Sequence, residues 1–270
     1  MHALSVIVEA AREDDAGAWL WERGTRGVEV KPADAGRVEL LAYFDERPDL
    51  RELLAALPGA VVADVPVPEV DWVARFREGF RSFDVGRFVV TPRWEAASPS
   101  PERLIVEPGR AFGTGTHETT RLCIAALEDL ASRRRLGRTL DLGSGTGLLA
   151  VAAARLGAAP VVGSDLDPEA TASSTLHARL NATRLHVVRA DGGSAFRPGS
   201  FDLVLANLMA LVLIDRATEV QALLAPGAAL VLSGLLLEDV PPVREAYSAS
   251  GTAREHRLGE WAAIVFERAA

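Results

Sequence analysis

Asp141-Leu142-Gly143-Ser144-Gly145-Thr146-Gly147 is the stretch on which the fold turns. It follows the short apolar run Thr139–Leu142 and precedes the alanine- and leucine-rich run Leu148–Leu156, so it reads as the turn between a β-strand and an α-helix. Glycines at alternate positions let the backbone turn tightly and approach a ligand closely at the mouth of a helix. A dinucleotide fingerprint needs glycine where Leu148 stands, and a P-loop needs Lys-Ser or Lys-Thr after its glycines; neither is present. Asp165 closes the next strand about 20 residues on, where an acidic side chain accepts ribose hydroxyls. Loop and acid together point to an adenosine-containing cofactor.

Outward from that loop, helix and strand alternate at α/β spacing. The pattern predicts helix His117–Ser132, strand Thr139–Leu142, helix Leu148–Leu156 and strand Pro160–Asp165. Asp167 as N-cap with Pro168 after it starts the next helix. Leu185–Arg189 and Leu203–Asn207 read as buried parallel strands. Helix Leu211–Leu224, strand Ala228–Ser233, helix Glu238–Ala249 and strand Trp261–Arg268 complete a doubly wound Rossmann-like α/β domain. Toward the N-terminus, Leu4–Glu9, Val28–Lys31, Arg37–Phe44 and Val61–Val67 are strand-like. Two helices separate them, one capped by Asp14 or Asp15 and ended by Gly24, the other Asp49–Leu57. The order β-α-β-β-α-β is the ferredoxin-like α+β motif. Between the two, Asp71–Phe80 reads as a short bridging helix with Trp72, Phe76 and Phe80 on one face, a packing stripe. Phe88–Thr91 and Leu104–Glu107 read as strands around a Pro/Ser-rich loop. The expected division is 1–68, 69–103 for bridging helix and linker, and 104–270.

Composition narrows the class. The 270 residues suit about two domains at ~150 residues each. An apolar share of 49% with 24% charged residues is that of an ordinary globular protein and excludes disordered, collagen and coiled-coil classes. With 29 Lys and Arg against 37 Asp and Glu, the net charge of −8 disfavours bulk nucleic-acid binding and suits a cationic partner. Cys123 is the single cysteine, so neither an internal disulfide nor a Cys-rich zinc site is available. Met1–Ala11 has no Lys or Arg ahead of its apolar residues, unlike a signal peptide, and apolar runs such as Leu208–Ile214 are too short to span a bilayer. A cytoplasmic protein without membrane association is expected.

Asp141–Gly147 with Asp165 resembles the S-adenosyl-L-methionine site of class I methyltransferases. Glu107–Cys123, EPGRAFGTGTHETTRLC, resembles the signature preceding the cofactor loop in the methyltransferase family that modifies large-subunit ribosomal protein eleven. Asp71–Phe80, Ala206-Asn207-Leu208, Ser233-Gly234-Leu235 and Gly259-Glu260-Trp261 fit the same family, and the N-terminal unit matches its small substrate-recognition domain in pattern. The resemblance implies S-adenosyl-L-methionine as cofactor. It also implies a basic ribosomal protein as partner, methylated on its α-amino group and lysine side chains. Family cofactor contacts fall on Thr120, Gly143, Asp165 and Asn207; Gly145 in the loop and Phe112 and Thr116 in the glycine-flanked FGTGT segment complete the expected cofactor-binding set.

Asn207 is the expected catalytic residue. It lies at a strand's carboxyl end, where open α/β sheets bind ligands. The sequence there is Asn207-Leu208-Met209-Ala210. Methyltransferases acting on planar amides or nucleobase amines typically follow this position with two prolines and an aromatic, so the departure favours a flexible aliphatic amine. No general base is assignable. His117 reads as a capping or hydrogen-bonding group at a helix head, Cys123 as a small buried hydrophobe, and the histidines form no metal-ligand spacing. Two other readings remain: a methyltransferase of RNA, another protein or a small-molecule amine, with Ser132-Arg133-Arg134-Arg135 as its support, and a non-catalytic binding module on the cofactor fold.

Overall fold

In β1 (His2–Glu9) the side chains of Leu4, Val6 and Val8 fall on one face at the two-residue period of a strand, and all three are buried. They pack with Ala16 and Leu20 of α1 (Glu13–Glu22). The same core takes residues from β3 (Arg37–Phe44), which follows β2 (Gly27–Ala33), and from α2 (Leu50–Ala56). With β4 (Val61–Val65) the strands form an antiparallel sheet in the order β2-β3-β1-β4, the ferredoxin-like arrangement that the sequence pattern predicts. Asp49 caps α2 by accepting the Arg51 N–H at 2.8 Å. α1 departs from expectation: it starts at Glu13 after a 3-10 turn at Ala10–Arg12, so its N-cap position is Arg12 and not Asp14 or Asp15.

The computed structural model describes residues 2–66, 80–96, 98–107 and 113–269. These divide into two compact units, Met1–Asp71 and Trp72–Ala270. The bridging helix expected over Asp71–Phe80 lies outside the described residues except for Phe80, and so does the last residue of the strand expected to end at Val67.

The second unit opens with β5 (Phe83–Val85), β6 (Phe88–Pro92) and β7 (Arg103–Val106), a small sheet in that order. β6 and β7 fall where strands Phe88–Thr91 and Leu104–Glu107 are expected, and within 69–103, expected as bridging helix and linker, Phe80, Val85, Phe88 and Val90 join the unit's core. Next come α3 (Glu118–Arg133), β8 (Thr139–Leu142), α4 (Leu148–Arg155), β9 (Val161–Asp165), α5 (Pro168–Leu180) and β10 (His186–Arg189). The remainder is β11 (Phe201–Asn207), α6 (Ala210–Asp215), α7 (Ala217–Ala222), β12 (Leu224–Leu236), α8 (Val240–Ala246), β13 (Thr252–Leu258) and β14 (Trp261–Glu267).

Seven strands pair in the order β10-β9-β8-β11-β12-β14-β13. The first five are parallel, and β14 runs antiparallel to both neighbours. Strand residues alternate between two apolar layers. Leu203, Leu205, Ala229 and Val231 face the layer that holds α3 and α4, while Val204, Ala206, Leu230 and Leu232 face the layer that holds α6, α7 and α8.

Three elements differ from the sequence reading. The helix expected over Leu211–Leu224 is broken at Arg216 into α6 and α7. β12 starts at Leu224 and runs through Pro226-Gly227, with a register irregularity against β11 that absorbs the proline. β13 is unforeseen, because Thr252–Leu258 is a charged edge strand without apolar alternation.

α5 ties the small sheet to the large one. Buried Asn181, at its C-cap, accepts the Ile105 N–H at 2.7 Å and donates to the Ile105 carbonyl at 2.8 Å. One turn earlier, buried His177 accepts the Glu107 N–H on Nε2 at 2.9 Å and donates from Nδ1 to the Ser173 carbonyl at 2.8 Å. That donor–acceptor pattern requires a neutral ring, and burial holds the His177 pKa below its ordinary value. Asn181→Ala strands a buried N–H and a buried C=O, so it should destabilise the protein by about 2–4 kcal/mol in denaturant unfolding. A loss under about 1 kcal/mol would contradict this account of the anchor.

Candidate active site

Because β8, β9 and β11 are adjacent and parallel, the chain leaves all three at the same edge of the sheet. Strand order reverses there, with β9 and β10 to one side of β8 and β11 and β12 to the other, and such a switch point opens a crevice. Asp141 sits in β8 just before the glycine loop, Asp165 ends β9 and Asn207 ends β11.

The loop is held by its own backbone. Gly143 and Ser144 N–H groups donate to the Ser164 carbonyl at 2.8 and 2.9 Å. The Asp165 carboxylate accepts the Gly145 N–H on one oxygen at 2.8 Å and the Asp167 N–H on the other at 3.0 Å. Each carboxylate oxygen keeps a second lone pair for a ligand. The Thr146 hydroxyl donates to the Gly113 carbonyl at 2.6 Å, pinning the end of the preceding segment over the loop. These groups enclose a cavity of about 290 Å³ lined by Thr120, Gly143, Gly145, Asp165 and Asn207 among others. Five of the expected site residues are thereby brought together. Thr116 is exposed, bonds through its hydroxyl to Thr114 at 3.3 Å and does not line this cavity. Phe112 lies outside the described residues.

Two side-chain oxygens on this cavity, Thr120 Oγ1 and Asn207 Oδ1, are buried without a hydrogen-bond partner. Buried polar atoms are rarely left so. A ligand carrying hydrogen-bond donors would satisfy them, and with the Asp165 carboxylate they fit a polar adenosine-type cofactor with an amino-acid end.

Leu208 forms the wall beside Asn207, and two glycines make room for it. Gly143 (φ +71°) would place a Cβ 2.5 Å from Leu208 Cδ2, and a Cβ on Gly234 (φ +84°) would overlap the Leu208 backbone. Gly234 sits at a bulge between β12 and β14. On the other side of Leu208 a second, largely apolar cavity of about 340 Å³ opens, lined by His117, Thr119, Met209, Val212 and Trp261, with Asn207 and Leu208 shared by both cavities. Sequence reading did not find it, because its walls come from segments far apart in the chain: the head of α3, the start of α6 and the adjacent strands β11, β12 and β14.

Asp141 also escaped assignment beyond its place in the motif. It is buried and accepts the Ala150 N–H at 3.0 Å in the first turn of α4. Burial pushes its carboxyl up to about 7, nearby Asp165 adds to the shift, and the Ala150 bond opposes it. His117 caps α3 as expected, its Nδ1 accepting the Thr119 N–H at 3.3 Å. Cys123 is buried as expected, and burial raises its thiol to about 12. Of the arginine run at the end of α3, Arg133 pairs with Asp129 and Glu267, and Arg134 donates to the Gly227 carbonyl at 2.7 Å. Those two side chains serve the fold. Among the described residues no cluster of three His, Cys, Asp or Glu side chains could hold a metal, and no helix is long and apolar enough to cross a membrane.

The strand order, the glycine loop after β8 and an acid and an amide at the ends of the two strands that flank β8 define a class I methyltransferase domain. Comparison with known proteins narrows the class. The family profile of ribosomal protein L11 methyltransferase (PrmA) matches residues 3–269. A ribosomal protein L11 methyltransferase of Geobacter metallireducens is 39% identical over 245 residues, covering 84% of this chain and 80% of that protein. One from Deinococcus radiodurans is 35% identical over 267 residues, covering 92% of each chain. Among solved structures, the ribosomal protein L11 methylase from Lactobacillus delbrueckii superposes with a TM-score of 0.63 at 27% identity, covering 71% of this chain and 100% of that one. The chain belongs to the ribosomal protein L11 methyltransferase (PrmA) family.

The raised Asp141 carboxyl has a measurable consequence. The folded protein holds that proton to about pH 7, while the unfolded chain releases it near the ordinary 3.8, so stability falls as pH rises across that interval. Asp141→Asn keeps an acceptor for Ala150 and carries no charge. In cofactor-free protein it should melt above the wild type at pH 8, by an increment on the order of a few kcal/mol at ~1.4 kcal/mol per unit, and the gap should shrink as pH falls toward 4. A gap independent of pH in thermal melts would refute the assignment.

Proposed function

We propose that this chain is an S-adenosyl-L-methionine-dependent protein N-methyltransferase of the cytoplasm. Its acceptors are the α-amino group and lysine side-chain amines of ribosomal protein L11. The observation that carries the reading is the meeting of two cavities at Asn207, one bounded by the glycine loop and the Asp165 carboxylate, the other apolar and bounded by Trp261. Family membership supplies the acceptor protein, and the net charge of −8 suits a basic one. The N-terminal unit, expected at residues 1–68, is the proposed substrate-recognition domain.

When bound, S-adenosyl-L-methionine supplies a methyl on a sulfonium, so that the amine lone pair forms an N–C bond as the C–S bond breaks, giving a methylammonium and a neutral thioether. The chain's own residues then do the work of positioning, which lowers a two-reactant barrier by several kcal/mol. Asp165 takes ribose hydroxyls, the glycine loop brings backbone close, and Thr120 and Asn207 bond the amino-acid end or the amine. The amine must arrive neutral. An α-amino group with pKa near 8 does so easily, whereas lysine near 10.4 rarely does at neutral pH.

Intact-protein mass spectrometry of L11 incubated with this enzyme and the methyl donor tests the reading. Stepwise additions of one methyl mass, absent without donor, are expected; no change, with donor binding verified by calorimetry, would overturn the substrate. If no side chain acts as base, the lysine-to-α-amine rate ratio should climb roughly tenfold between pH 7 and 9, following the neutral fractions. A flat ratio would mean that the protein deprotonates lysine. Asn207→Ala should cut turnover roughly tenfold or more while shifting the melting temperature little, and an unchanged rate would remove its role.

A further inference from the structure

Glycine has no Cβ to confine its backbone, so a glycine in a ligand loop needs its conformation fixed from outside. Gly145 is fixed on both sides of its Cα. Its N–H donates to the Asp165 carboxylate at 2.8 Å, and its carbonyl accepts the Ser174 hydroxyl at 3.0 Å. Ser174 lies within α5 and is fully buried. It is not part of the wall of the cavity that Gly145 and Asp165 line.

The direction of these bonds follows by elimination. A carbonyl can only accept, so the Ser174 proton goes to Gly145. The Ser144 hydroxyl, 3.1 Å from Ser174 Oγ, then donates to that oxygen. Protons point one way, from Ser144 through Ser174 to the Gly145 carbonyl, and both serines are buried. In such a relay each bond polarises the next. Helix and loop also meet at Gly147, where a Cβ would stand 2.8 Å from Ser174 Oγ and 3.0 Å from Ser174 Cα. Further along the same buried face of α5, His177 and the C-cap Asn181 bond Glu107 and Ile105. Those two hold one sheet to the other. Ser174, one turn earlier, is the member of this polar stripe that reaches the glycine loop.

The consequence falls on Asp165. Each of its oxygens is held by one N–H, from Gly145 or from Asp167, which leaves a lone pair on each for the ribose. Once the Gly145 carbonyl loses its donor, the glycine is free to turn, its N–H leaves the carboxylate, and one oxygen loses the bond that aims it. We propose that Ser174 is a positioning residue of the cofactor site. By holding the Gly145 carbonyl it keeps the Gly145 N–H on Asp165, and so directs that carboxylate at the ribose hydroxyls of the methyl donor. This rests on the S-adenosyl-L-methionine reading above.

The test is a double-mutant cycle of Ser174→Ala and Asp165→Ala in the full chain, read by calorimetric titration with S-adenosyl-L-homocysteine, the demethylated product. In the wild-type background Ser174→Ala should raise Kd about tenfold, the worth of one hydrogen bond. In the Asp165→Ala background it should raise Kd less than about twofold, because the carboxylate it directs is gone. A purely structural loss would weaken both backgrounds alike. If Asp165→Ala binds too weakly to titrate, the ligand is truncated instead: the loss seen in Ser174→Ala should vanish with the dideoxyribose analogue. An unchanged Kd in Ser174→Ala, or the same factor in both backgrounds or with both ligands, would overturn the proposal. A wild type that binds neither donor nor product would instead sink the cofactor reading itself, so the two failures are distinguishable.

Discussion

Parallel pairing of β8 with β9 on one side and β11 on the other is the constraint from which the active site follows. Leu142 is in register with Ser164 and with Ala206, so the three strands end level with one another. Parallel strands must each be followed by a return crossing, and the crossings after β8 and β9 are helices whose first turns present unpaired N–H groups at this edge. The protein answers some of that demand itself, through Asp141 on Ala150 and Asp167 on Glu169. Asp165 is used differently. It bonds the loops that follow two separate strands and so fixes the spacing between them, while one lone pair on each oxygen stays open to a ligand.

Much of this was legible in the sequence because the informative residues are consecutive or sit at the ends of strongly patterned strands. The glycine loop, Asp165, Asn207 and the Asp167-Pro168 helix start belong to that group. Elements that depend on distant partners were not legible. β13 reads Thr-Ala-Arg-Glu-His-Arg-Leu and holds its edge position with charge pairs, among them Arg244 with Glu255 and Arg254 with Glu267, which no local apolar period reveals. Pro226-Gly227 lies between the expected helix Leu211–Leu224 and strand Ala228–Ser233, yet β12 runs through it with a shift of register against β11. The contact between Thr119 and Asn207 spans 88 residues of chain, which spacing alone does not announce.

The core beneath the site is also a filter on charge. Asp141, His177 and Cys123 are all buried, and in each case burial is the leading cause that disfavours the ionised form. Around the cavity the charge falls to Asp165 and Asp167, both carboxylates. A cationic ligand entering there meets the side chains of Asp165 and Asp167, an arrangement that draws it in.

Leu208 gives the two cavities a common wall. One side of its residue touches the space bounded by Gly143, the other the space bounded by Gly234, and both glycines leave no slack around it. A wall so tightly held cannot yield to one occupant without altering the room left for the other, since close-packed interiors transmit displacement. An occupant that displaced Leu208, by its side chain at Gly143 or its backbone at Gly234, would change the room left for the other, and by reciprocity the effect on affinity would be equal in both directions.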